Sequence, residues 1–146
     1  MDRSIRLWWW SLVVLTAATL LFSLAMVALP APTQRLFGGL YLSAPGGISA
    51  FGAGAAHYIG FVTAVLGAVM AGWAAAMLVV LLGPFRAGRP DAWWLIAIPL
   101  VVWFIPDTAY SLWSGFWQNV ALNIVVLVLF AIPLVASYSG FRRPRT

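Results

Sequence analysis

Asp107 is the residue whose chemistry sits least easily in its surroundings. It follows Pro106 inside the apolar run Trp93–Trp113 and is one of only three acidic residues, with Asp2 and Asp91. A charged aspartate at the centre of a membrane-spanning helix costs on the order of 2.5–3.5 kcal/mol on insertion scales. Such a group is expected to face a protein interior or water, and to have partners. Candidate partners lie on both sides of the turn signal Ser114-Gly115. Asp107, Tyr110, Ser111 and Ser114 follow the i, i+3, i+4, i+7 spacing of one helix face, and Asn119 and Asn123 share a face at i, i+4. Counting back from the turn places Asp107 level with Asn123, and Tyr110 level with Asn119. One face-to-face arrangement of two helices would gather all six residues. His57 and Arg35 are the remaining ionisable groups expected at that end of the molecule, and His57 is expected to point inward.

Two readings of this cluster stand side by side. In one, Asp107 is a structural tie between two helices. In the other, Asp107, Asn123, Asn119, Tyr110 and Ser111 line a pocket that binds a proton, a cation or a polar head group, with His57 and Arg35 at its mouth. Intramembrane ionisable residues are functional candidates by default. An acid–base pair of Asp107 and His57 can be drawn, but the spacing of their neighbours matches no nucleophile elbow or other catalytic motif. The chain is therefore read as a non-enzyme.

What must position these residues follows from composition. Of 146 residues, 64% are hydrophobic and 8% charged, with mean hydropathy +0.99; soluble domains are about 45–50% apolar and about 25% charged. A chain with so few ionisable groups belongs in a bilayer. There is no cysteine and no lysine, and His57 is the single histidine. Thiolate metal sites, a lysine Schiff base and a multi-histidine metal or haem site are thereby excluded within one chain. No metal, cofactor or prosthetic group is expected. The net charge of +5 comes from eight arginines, which cluster at predicted helix ends, so the lipid bilayer rather than nucleic acid is the expected partner.

The periodicity and breakers predict an all-α, polytopic fold: a bundle of four transmembrane helices over about 7–29, 58–82, 93–113 and 116–138, forming a single membrane domain. The first span is read as a retained anchor helix rather than a cleaved signal. Gly83-Pro84 is expected to end the second span, and Asp91 to cap the third. An interfacial segment around Thr33–Leu42 is expected between helices 1 and 2. Pro99 and Pro106 each remove a backbone donor and free the carbonyls of Leu95 and Val102. Seven arginines, Arg3, Arg6, Arg86, Arg89, Arg142, Arg143 and Arg145, fall on one side of this layout and only Arg35 on the other. That asymmetry predicts both termini in the cytoplasm, in a bacterial inner membrane. Trp8-Trp9-Trp10 and Trp93-Trp94 at one interface and Trp113 and Trp117 at the other agree with it.

Gly60, Ala64, Ala68, Gly72 and Ala76 recur every four residues along the second span, and Gly67, Ala71 and Ala75 widen the same stripe. Small residues at this spacing let another helix approach closely. The stripe is expected to pack within the monomer or to serve a homo-oligomer or partner subunit. Thr16, Thr19 and Ser23 on the first span are placed to hydrogen-bond across to it.

The anchor helix, the proline-flanked loop, the run His57-Tyr58-Ile59-Gly60 with Gly67 and Gly72-Trp73, and the closing hairpin together resemble the DoxX-like small bacterial membrane proteins. That resemblance implies a four-helix membrane fold and carries no assigned catalytic residues onto this chain. The overall expectation is a small accessory or ligand-binding membrane protein, with a proton-coupled transporter or channel subunit as the alternative.

Overall fold

The computed structural model describes residues 3–42 and 47–141, and all the regular structure among them is helical. Helix α1 runs Arg3–Ala28, α2 Pro30–Tyr41, α3 Ala53–Val80, α4 Pro90–Trp113 and α5 Trp117–Ser137. Short 3₁₀ turns occupy Gly47–Phe51 and Tyr138–Gly140, and a π-helical turn, Leu81–Phe85, extends α3. Four of these helical stretches are long and apolar enough to cross a membrane: Arg3–Ala28, Ala53–Phe85, Pro90–Trp113 and Trp117–Gly140. In each, only 22% or 28% of the most apolar stretch is buried within the chain. The rest of those apolar faces is matched to lipid, and the protein is a multi-pass membrane protein.

Several boundaries depart from the sequence expectation, each for a local reason. The second span ends at Phe85, one residue past the expected Gly83-Pro84. Pro84 has no N–H to give, and the backbone passes it with a wider turn in which Arg86 N–H reaches Leu81 O at 3.2 Å. α1 ends at Ala28, just before Pro30, and Pro30 begins α2, taking the first helical position where its missing donor costs nothing. Asp91 does not cap α4. Arg89 is the N-cap, Pro90 follows it in the first turn, and the Asp91 carboxylate is engaged by the Arg89 guanidinium at 2.7 Å and 3.2 Å.

The chain forms two compact units, Met1–Ala17 with Ala75–Thr146, and Ala18–Ala74. In the first, the start of α1, the end of α3 and the helices α4 and α5 bundle around buried Leu12, Leu81, Phe85, Ile96, Leu100, Phe130 and Leu134. Its terminal end is held by tryptophan. Trp9, expected in an interfacial belt, is instead only 4% exposed and donates its indole N–H to Leu81 O at 2.8 Å. Arg86 lies over its ring, 5.4 Å from the centroid. Trp93 donates to Leu134 O at 2.8 Å, a carbonyl left available because the chain tightens to 3₁₀ and Tyr138 N–H turns to Val135 O. Arg3, Arg6, Arg86 and Arg89 lie at this end; Asp2, Arg142, Arg143 and Arg145 fall outside the described residues.

In the second unit α1 and α3 cross closely at Gly67, where an added Cβ would stand 2.7 Å from Met26 Cβ and 2.8 Å from Ser23 O. The Gln34 side chain of α2 lies against Gly60 and donates to Ala56 O at 3.3 Å. The expected stripe therefore packs through its widening residues Gly67 and Ala71, while the far part of its four-residue row is open. Gly60 and Ala64 are half-buried and Gly67, Ala71 and Ala74 buried, whereas Ala68, Gly72 and Ala76 are exposed. Four residues advance a helix by about 400°, so a strict i+4 row drifts about 40° per step, and a packed face must alternate threes and fours. Thr16 and Ser23 do not bond across to α3 either. Each hydroxyl donates to the carbonyl four residues back in α1, Leu12 O and Thr19 O, at 2.7 Å.

Candidate functional site

The hairpin end of the first unit is set by the way α4 stops. Gly115 takes the left-handed conformation at φ +79. Phe116 N–H then bonds Ser111 O at 2.9 Å and Gly115 N–H bonds Leu112 O at 3.2 Å. These are the two bonds of a Schellman stop, which satisfies the last carbonyls of α4 and turns the chain sharply into α5. The turn brings the first two helical turns of α5 beside the last two of α4.

On α4 the buried face descends through Ala92, Ile96 and Leu100 and continues to Ser111, with half-buried Asp107 on the same line. On α5 it comprises Asn123, Phe130, Leu134 and Ser137, with half-buried Asn119 one turn before Asn123. Asn119 Nδ2 donates to Asp107 Oδ1 at 2.9 Å and to Ser111 Oγ at 2.7 Å. The Ser111 hydroxyl donates to the same Asp107 Oδ1 at 3.3 Å. Beside this triad Asn123 Nδ2 donates to Thr108 Oγ1 at 3.3 Å. Asp107, Ser111, Asn119 and Asn123 are thus brought to one seam.

The pairing differs from the expectation. Depth was counted correctly: Asn119 stands level with residues 110–111 and Asn123 with 107–108. Rotation about α4 was not. At the outer level Ser111 rather than Tyr110 faces α5, a difference of about 100°, and at the inner level Thr108 joins Asp107 against α5. Tyr110 is accordingly 65% exposed, its ring edge-on to Trp113 at 5.8 Å. Ser114 is exposed in the turn. Both are outside the cluster. Thr108 is the member that sequence reasoning missed; its spacing from Ser111 (i, i+3) was the available signal.

The two oxygens of Asp107 are not equivalent. Oδ1 accepts both bonds, while Oδ2 accepts none among the described residues and is not buried. Asp107 also has no ion-pair partner among the described residues. What remains is a carboxylate fixed through one oxygen by neutral donors, with its other oxygen available. His57 and Arg35 belong to the second unit, where both are exposed, so His57 does not take the inward orientation expected of it. Among the described residues no group of His, Cys, Asp and Glu could hold a metal ion. On the other side of α4, about half a turn round from Asp107, Trp94, Ala97, Ile98, Val101 and Val102 line an apolar groove of about 240 Å³. That groove carries no polar group and is separate from the seam.

Comparison with protein-family models, with curated proteins and with solved structures finds no match for this chain.

Proposed function

We propose that this protein is a small accessory or ligand-binding membrane protein whose working group is the Asp107 carboxylate, in a polar pocket open at the hairpin end. The observation that carries this reading is the division of labour within the carboxylate. A purely structural aspartate in a bilayer would engage both oxygens, because each unsatisfied polar atom there costs free energy. Here one oxygen is committed and the other has no partner among the described residues, which leaves it for a ligand. Ser111 and Asn119 orient the carboxylate, and Asn123 with Thr108 extends the polar seam.

In the same reading the arginine-rich terminal end faces the cytoplasm, in keeping with the positive-inside rule, and places the hairpin end of α4 and α5 on the outer face of a bacterial inner membrane. The layout is that of a DoxX-like protein, and the role is binding rather than catalysis. A second reading has one specific observation in its favour. Ala68, Gly72 and Ala76 are exposed, and nothing lies within 4 Å of a Cβ placed on Gly72, so this ridge is available for close approach by another helix. Self-association there would make the chain one subunit of a proton-coupled transporter or channel. Cross-linking through a cysteine placed at Gly72 tests it: a dimer in the native membrane supports that reading and its absence removes it.

The pocket itself is tested by reaction of the protein in vesicles with a hydrophobic carbodiimide, followed by peptide mass analysis. Asp107 should be modified. Failure to modify it, under conditions that modify an aspartate placed at exposed Val102, would contradict an open site.

A further inference from the structure

The seam also specifies the chemical class of its ligand, and this inference rests on the open-site reading just given. Among the uncommitted features around Asp107 are an acceptor oxygen and two π-faces. Oδ2 is an unpaired acceptor, and the donors of Asn119 and Ser111 are spent on Oδ1 and on each other. No other ionisable side chain occurs in α5, and Tyr110, the nearest on α4, is turned to the exposed side. An acceptor without a donor among the described residues attracts an N–H or O–H, and a cationic donor is the one that the ionised carboxylate would hold most strongly.

One helical turn back along α4, Trp103 and Phe104 flank the line of Asp107 at i−4 and i−3, both half-buried, with ring centroids 6.3 Å apart at a steep angle. Residues three and four apart on a helix are neighbours, about 5–6 Å between Cβ atoms, so both rings border Asp107. Aromatic faces beside a carboxylate favour organic cations, through cation–π attraction and through apolar contact with the body that carries the charge. An anion is disfavoured by the carboxylate, and a bare metal ion has too few ligands here.

We propose that the Asp107 seam binds a protonated amine carried on an apolar body, with the ammonium group donating to Asp107 Oδ2 and the body lying against Trp103 and Phe104. A quaternary ammonium has no N–H for Oδ2 and should bind less well than a primary or secondary amine of equal size.

The test is equilibrium binding of phenethylammonium to the full chain in nanodiscs, against phenethyl alcohol and 3-phenylpropionate as neutral and anionic probes of similar shape. The amine should bind at least about tenfold more tightly than the alcohol, a difference within the range of a charge-assisted hydrogen bond, and the anion should not bind. Asp107→Asn should erase the preference for the amine. Should that variant fail to fold, Trp103→Leu serves in its place: it should weaken phenethylammonium several-fold while leaving methylammonium unchanged. Equal binding of amine and alcohol, or a preference that survives Asp107→Asn, would overturn the assignment. If the carbodiimide modifies Asp107 but the amine shows no preference, the amine inference alone fails. If Asp107 resists the carbodiimide as well, the open site fails with it.

Discussion

The seam between α4 and α5 changes character halfway along its length. Toward the chain termini it is apolar and closed, with Ala92, Ile96 and Leu100 facing Phe130 and Leu134, all of them 3% exposed or less. A polar contact there, Trp93 to Leu134 O, ties an indole to backbone. Toward the hairpin the same two faces present Asp107, Thr108, Ser111, Asn119 and Asn123, and the seam is only half-closed: Asp107 and Asn119 keep intermediate exposure and one carboxylate oxygen has no donor. Both halves are built on the same helices at the same spacing, so the difference is one of chemistry. The terminal half gains from dense packing, which drives helix association in lipid where the hydrophobic effect between helices is absent. The hairpin half exchanges that packing for hydrogen bonds that average only about 0.6 kcal/mol each in membranes. Stability therefore concentrates at one end and chemistry at the other.

The contrast is broken most severely at Phe130. Phe130→Ala removes a buried ring from the closed half and should cost about 3–5 kcal/mol, read as a large fall in melting temperature of the detergent-solubilised protein. A loss no greater than that of a surface variant would mean the terminal half is not the stabilising one. A smaller effect of the same kind is expected on α3, where closed and open contacts also alternate. Gly67→Ala forces a Cβ against Met26 and the Ser23 carbonyl and should destabilise by about 1–3 kcal/mol. Gly72→Ala meets nothing within 4 Å and should be neutral, or slightly stabilising through helix propensity. Equal responses at the two glycines would show that the packed face of α3 is misassigned.

The sequence makes the helices and the depth of the site legible and leaves their rotation open. Apolar length located the four spans, and Ser114-Gly115 located the hairpin, because both are written in local residue types. Counting from that turn placed Asn119 and Asn123 at the right levels. It could not say which α4 residue at each level faces α5, since one residue is about 100° of rotation and the choice depends on how the whole of α4 packs. Tyr110 was drawn in and Thr108 left out for that reason. The small-residue stripe was legible in part: Gly67 and Ala71 are buried and Gly60 and Ala64 half-buried, while drift carries Ala68, Gly72 and Ala76 off the contact face. Trp9 was hidden by a general rule, since tryptophan near a helix end ordinarily marks the membrane interface. Its burial depends on Leu81 O, a backbone acceptor placed by the π-helical passage around Pro84 and invisible in residue types alone.

The smallest expected stability change falls on the residue with the largest expected functional one. Asp107→Asn keeps the shape of the side chain and an oxygen able to accept from Asn119 and Ser111, so melting temperature is the measurement that separates a working carboxylate from a structural clamp. The variant should melt within a few degrees of the parent, in line with a loss below about 1 kcal/mol. A fall as large as that of Phe130→Ala would contradict the account and make Asp107 part of the fold's scaffold.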